Sequence, residues 1–148
     1  MGLGFGQRMR QCDPDTRMSI QRDLDAPCPC REDRSYGQCC APLHAGQTAA
    51  DAETLMRSRY SAYVLEMEDY LLASWHPDTR PRTVEFEAAS KWLGLTIKDH
   101  QIISEDESTV SFVARFRVAG GRAVRMQERS RFRRESGRWY YLDALSLT

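Results

Sequence analysis

The chain has 148 residues, 41% of them apolar and 28% charged, which suits one globular domain with a small appendage and excludes a second full-sized core. No apolar run exceeds four residues, as at Ala62–Leu65, so nothing approaches the roughly 18 that span a bilayer. The first twenty residues also lack the apolar stretch of a secretory signal, and the reading is a cytoplasmic protein with no membrane contact. Formal charge is zero, from 21 basic and 21 acidic residues, yet residues 115–138 hold nine arginines against Glu128 and Glu135, a strip of +7 on a body of −7.

Residues 1–26 mix glycine, proline and charge without helical or strand period and are expected to be a mobile leader. A cysteine cluster and a linker, Ala41–Gly46, fill residues 27–46, and the body runs from 47 to 148. The spacing of Leu55, Met56, Arg59, Tyr60, Tyr63, Val64 and Met67 predicts a helix over Ala49–Glu66, capped by Thr48 or Asp51. A second helix, Glu68–Trp75, stops before Pro77, and a third is expected over Thr83–Trp92 with Val84, Phe86 and Ala88 or Ala89 inward. After that the period becomes two, predicting strands Leu93–Ile103, Thr109–Val118, Arg122–Arg134 and Arg138–Leu147. Helices followed by an antiparallel meander make an α+β fold.

The register of the second hairpin follows from its chemistry. Val110, Phe112, Ala114 and Phe116 must share a face with Val124, Met126 and Phe132, which requires a loop of odd length. The loop Ala119-Gly120-Gly121 supplies it and pairs Phe116 with Val124, Ala114 with Met126 and Phe112 with Glu128. Glu128 is then the lone carboxylate of the inner face. The outer face carries Arg115, Arg117, Arg125, Arg129, Arg131 and Arg133.

Cys28-Pro29-Cys30, eight residues and then Cys39-Cys40 bring four thiols within one short segment. Near-adjacent cysteines do not readily bridge within each pair, whereas four convergent thiolates suit a tetrahedral zinc ion with no open position, a structural site. A segment without a core of its own would draw its folding energy from that metal. His44 is an alternative ligand, although four cysteines suffice; Cys12 lies apart.

Cys-Pro-Cys, eight residues and Cys-Cys, with Tyr36 three positions before Cys39, resembles the SEC-C zinc motif at the C-terminus of the SecA translocation ATPase. Pro42–Gly46, Leu55–Tyr63, Trp75-His76-Pro77, Trp92–Leu95, Phe112–Phe116, Glu128–Phe132 and Trp139–Asp143 resemble, in this order, the YchJ family of small bacterial proteins. The resemblance covers residues 27 to about 144. It implies a SEC-C knuckle joined to a nuclear transport factor 2-like (cystatin-like) cone, helices packed on a curved antiparallel sheet, and assigns no reaction. The Gly-Ser-Gly usual after the second cysteine is here Arg31-Glu32-Asp33.

The open end of such a cone is the default place for a ligand. Tyr60, Tyr63, Trp75, His76, Trp92, Glu128, and Asp143 or Tyr141, are the candidates to line it. Desolvated Glu128 with His76 as partner would suit proton transfer of isomerase or hydratase type. The favoured reading pairs Glu128 with Arg57 or Arg59 and leaves the aromatics as core. His100, alternating on a strand, is expected in solvent. Only Phe132 and Tyr140 interleave the arginines, too few rings for a stacking platform. A solvated face or a homodimer interface is therefore preferred to nucleic acid or the ribosome. The leading function is a non-enzymatic zinc-binding adaptor, the knuckle binding a protein partner and the cone serving as scaffold or small-molecule pocket.

Overall fold

The computed structural model describes residues 24–148, and the leader lies outside them except for its last three residues. Those three are tied to the knuckle: Tyr36 N–H donates to Ala26 O at 2.8 Å, and Leu24 packs against the core. A 3-10 turn, Tyr36–Gln38, leads into a short helix α1, Ala41–His44, where a pure linker was expected. Pro42 in the first turn of α1 gives up no hydrogen bond, because first-turn N–H groups have no partner within the helix.

Helix α2, Ala52–Val64, begins on Asp51, whose extended backbone lets its carboxylate accept from Thr54 N–H at 2.8 Å. It ends because Glu66 turns left-handed, φ 55°, so that Glu66 and Met67 N–H return to the carbonyls of Tyr63 and Ala62 at 3.2 and 2.8 Å. The next helix, α3, Glu68–Ala73, starts at once.

Four strands follow: β1 Ser90–Ser104, β2 Glu107–Val118, β3 Ala123–Glu135 and β4 Arg138–Leu147. They form an antiparallel meander in the order β1-β2-β3-β4. The β2–β3 register is the one the odd loop demands, with Phe116 opposite Val124, Ala114 opposite Met126 and Phe112 opposite Glu128. Gly120 takes φ 75° in that loop, and Ala119 shares the left-handed region. The outer strands carry bulges, at Leu93, Lys98 and Ile103 in β1 and at Leu142 and Leu145 in β4, which bend the sheet around α2.

The helix expected over Thr83–Trp92 does not form. Residues 83–87 are irregular, and Trp92 is a strand residue opposite Phe116. Val84 and Phe86 are two apart, the strand period, and Thr83 and Val84 are β-branched, so this short segment had no helical face to bury. Glu68 anchors it instead, accepting from Val84 N–H at 2.9 Å.

One buried cluster joins Leu55, Met56 and Tyr60 of α2 to Val110, Phe112, Ala114 and Phe132 of the sheet, and continues into Cys28, Cys30, Tyr36, Cys40 and Leu43. Removing the α2 cap by Asp51→Ala should cost about 1 kcal/mol and lower the melting temperature by roughly 2–4 °C. Glu66→Gly, which relieves a side chain of its left-handed backbone, should raise it or leave it unchanged. Calorimetry of both variants checks the pair.

Candidate metal centre and cone cavity

The two cysteine pairs converge because the chain between them folds back, with Cys28 N–H donating to Arg34 O at 2.8 Å and Pro27 bridging Ser35. The four Sγ atoms lie within 4.8 Å of one another. Cys30 Sγ is 3.7 Å from Cys28, 3.5 Å from Cys39 and 3.7 Å from Cys40, and Cys39 is 3.9 Å from Cys40. A tetrahedron of 2.3 Å metal–sulfur bonds has edges of about 3.8 Å, whereas a disulfide needs about 2 Å. All four are free thiols, and Cys28, Cys30 and Cys40 are buried. By themselves they cannot all ionise. Hydrogen bonding shared with Cys30 and Cys40 holds the Cys28 thiol low and pushes Cys30 and Cys40 up. A cation at the centre would let four thiolates coexist.

Helix α2 supports this centre. Ser61 Oγ lies 3.2 Å from Cys40 Sγ and 3.5 Å from Cys28 Sγ, and Arg57 donates to Cys30 O at 3.2 Å. His44 is not a ligand: its Nδ1 accepts from Tyr36 Oη at 2.6 Å and its Nε2–H donates to Ser58 O at 2.8 Å. Burial lowers the pKa of this ring, in keeping with the neutral form.

On the other side of α2 lies a cavity of about 260 Å³ lined by Arg59, Tyr60, Tyr63, Trp75, Trp92, Glu128 and Tyr141 together with apolar side chains. The Arg59 guanidinium, 3% exposed, is held between two rings, 4.8 Å from the Trp75 centroid and 4.6 Å from that of Tyr141. Its Nη1 donates to Leu71 O at 2.9 Å and Ser74 Oγ at 2.7 Å. Glu128 accepts from Ser130 Oγ and, at 3.3 Å, from Tyr141 Oη. Burial and the neighbouring carboxylate push the Tyr141 phenol up, and burial pushes Tyr60 to about 12, so both stay protonated donors.

Residues 51–144 match the family model described as YchJ, middle NTF2-like domain. The chain belongs to the YchJ family. A UPF0225 protein of Xanthomonas campestris pv. campestris is 55% identical over 120 residues, 80% of this chain and 93% of that one. Another from Bordetella parapertussis is 57% identical over 122 residues, 80% and 91% of the two chains. The solution structure of a SEC-C motif containing protein from Rhodopseudomonas palustris superposes with a TM-score of 0.73 at 34% identity, covering 82% of this chain and 99% of that one. The fold is thus the NTF2-like α+β fold that the motifs implied, with the cysteine cluster standing in the place of a SEC-C knuckle.

In this YchJ family member the candidate residues of the cone divide between two faces. Trp75 and His76 bridge the β4 edge, His76 N–H donating to Tyr141 O at 2.8 Å and Tyr141 N–H to Ser74 O at 2.9 Å. Neighbours on extended backbone point to opposite sides. Trp75 enters the cavity, while His76 Nε2–H donates to Glu135 at 2.7 Å and its Nδ1 accepts from Asp78 N–H at 3.1 Å. The Glu128–His76 acid–base pair expected for an enzyme is therefore not assembled. Asp143 is also displaced: the bulge at Leu142 reverses the alternation, so Tyr141 faces inward and Asp143 meets Arg131 outside at 2.8 and 3.1 Å.

Glu128 makes no ion pair with Arg57 or Arg59 among the described residues; Arg57 turns to Glu53 at 3.2 Å and Arg59 is held by rings, a carbonyl and a hydroxyl. His100 is not solvated: Nε2 is buried without a partner among the described residues, and Nδ1 lies 3.7 Å from Glu53. The arginine face is laced with partners, Arg131 with Asp143, Arg133 with Asp78 and Glu135, and Arg129 with Gln101. Among the described residues no helix is long and apolar enough to cross a membrane. The part of Arg59 in the cavity wall was missed by the sequence reading, which placed it only as a counter-ion. Because hydrogen bonds and not an ion pair hold Glu128, Glu128→Gln should shift the melting temperature by no more than about 4 °C, near 1 kcal/mol. A loss of roughly 3 kcal/mol would be the mark of a broken buried ion pair.

Proposed function

We propose that this protein is a non-enzymatic zinc-binding adaptor in which Cys28, Cys30, Cys39 and Cys40 hold one structural zinc, the knuckle docks a protein partner, and the cone serves as scaffold and small-molecule pocket. The observation that carries the reading is the clustering of four thiols at tetrahedral edge lengths, three of them buried. All-thiolate tetrahedral sites suit zinc, and four protein ligands leave no position for a substrate, so the metal would act by fixing the knuckle. The SEC-C motif in the description of the Rhodopseudomonas palustris protein supports the same assignment.

What the metal would fix is a tip. Glu32, Asp33 and Arg34 are exposed beyond the first cysteine pair, Arg31 is braced on Asp33 at 3.0 Å, and Arg34 donates to Gln38 O at 2.7 Å. A short charged loop held rigid by a metal costs less ordering entropy on docking than a free one. Protein purified without chelators should carry about one zinc per chain, and Cys39→Ser should reduce it to a small fraction. Elemental analysis reads both. A partner retained by the metal-loaded chain should be lost after Cys39→Ser; retention by both would remove the knuckle from the interaction.

A further inference from the structure

The cone cavity carries polar atoms that the protein leaves unused. Both hydrogen bonds to Glu128 end on Oε2, and Oε1 has no partner among the described residues. Trp75 Nε1–H is buried at the wall and donates to nothing among them. Arg59 donates to Leu71 O and Ser74 Oγ through Nη1, leaving Nε and Nη2 as further donors. Around these atoms the walls are rings: Tyr60 meets Trp92 at 5.5 Å between centroids, and Trp75 meets Tyr141 at 5.1 Å. Tyr63, Trp92 and Met126 also line an outer groove of about 530 Å³, so groove and cavity share a wall.

A buried donor without a partner, as at Trp75 Nε1–H, is a cost that a suitable ligand would recover, and Glu128 Oε1 is an open acceptor beside it. Charge narrows the class. Arg59 and Glu128 are the charged groups of the lining, one of each sign, so a charged ligand would bring an uncompensated charge into a poorly solvated space. Aromatic walls favour a flat body, and the unused atoms ask for one N–H and one carbonyl oxygen.

We infer that the cavity binds a small, neutral, planar molecule of the amide or lactam class, its N–H on Glu128 Oε1 and its carbonyl oxygen on the wall formed by Arg59 and Trp75. This rests on the reading of the cone as a small-molecule pocket and is independent of the metal and of any protein partner.

Benzamide, benzoate and benzamidinium share one shape and differ in charge, and the three tryptophans of the chain report on the site. Titrated into the full, zinc-supplied protein and followed by the indole N–H resonances, benzamide should shift Trp75 and Trp92 saturably and leave Trp139, which does not line the cavity, in place. The two ions should bind at least about tenfold more weakly. In Glu128→Gln the order should reverse: with Arg59 the remaining charge, benzoate should bind roughly tenfold better than to the native chain, and benzamide worse. Equal binding of all three probes, a preference of the native chain for either ion, shifts confined to Trp139, or no saturable shift, as for a cavity that holds only water, would overturn the assignment. None of these outcomes would alter the zinc content or partner retention on which the adaptor reading depends.

Discussion

Four thiols packed within 4.8 Å would repel one another as thiolates, and a buried segment offers little water to screen them, so their joint ionisation calls for a cation. The structure places this demand for a cation against the most buried stretch of the body: Ser61 lies at Cys40 and Cys28, Arg57 caps the carbonyl of Cys30, and His44 clamps α1 to the Ser58 carbonyl. Helix α2 thus has two employments. Its Ser58 and Ser61 side faces the knuckle, and Met56, Arg59, Tyr60 and Tyr63 face the cone cavity. A one-residue rotation of this helix, about 100°, would lose both sets together, so the thiol cluster and the cavity each depend on how α2 is seated.

The sheet answers a different constraint. A meander that curves around a helix has to shorten one edge relative to the other, and the bulges of β1 and β4 do this. Each bulge also reverses which side chains point inward. At Leu142 the reversal delivers Tyr141 to the cavity and Asp143 to Arg131. At Leu93 it keeps Trp92 inward against Phe116 while Gly94, opposite Arg115, takes φ 154°. A Cβ at Gly94 would come within 2.7 Å of the Arg115 guanidinium, which can swing aside, so it is the positive φ at the kink that favours glycine there.

These features explain what the sequence could and could not disclose. The β2–β3 register was legible because two opposed rules, alternation and an odd loop, left one solution, and the cysteine spacing was legible because thiols that converge leave few chemistries. The Asp51 cap and the break before α3 were readable from local preference. The irregular segment from Thr83 to Ala89 was not, since its apolar spacing admits more than one element and tertiary anchors decide it. The roles of His76 and Asp143 were hidden for a shared reason: face assignment depends on bulges and bridges that add a single residue, and these have no signature in composition. Arg59 was hidden as well, because a guanidinium can be satisfied by rings and carbonyls that lie far apart in sequence.

The central claim is that the four-cysteine cluster and α2 form one unit. Amide hydrogen exchange across the full, zinc-supplied chain, before and after addition of a chelator, tests it most directly. The account predicts that protection falls together in residues 27–44 and in the Ser58–Tyr63 stretch of α2, with the β2–β3 hairpin remaining protected longest. Loss confined to residues 27–44, with α2 as protected as before, would contradict it.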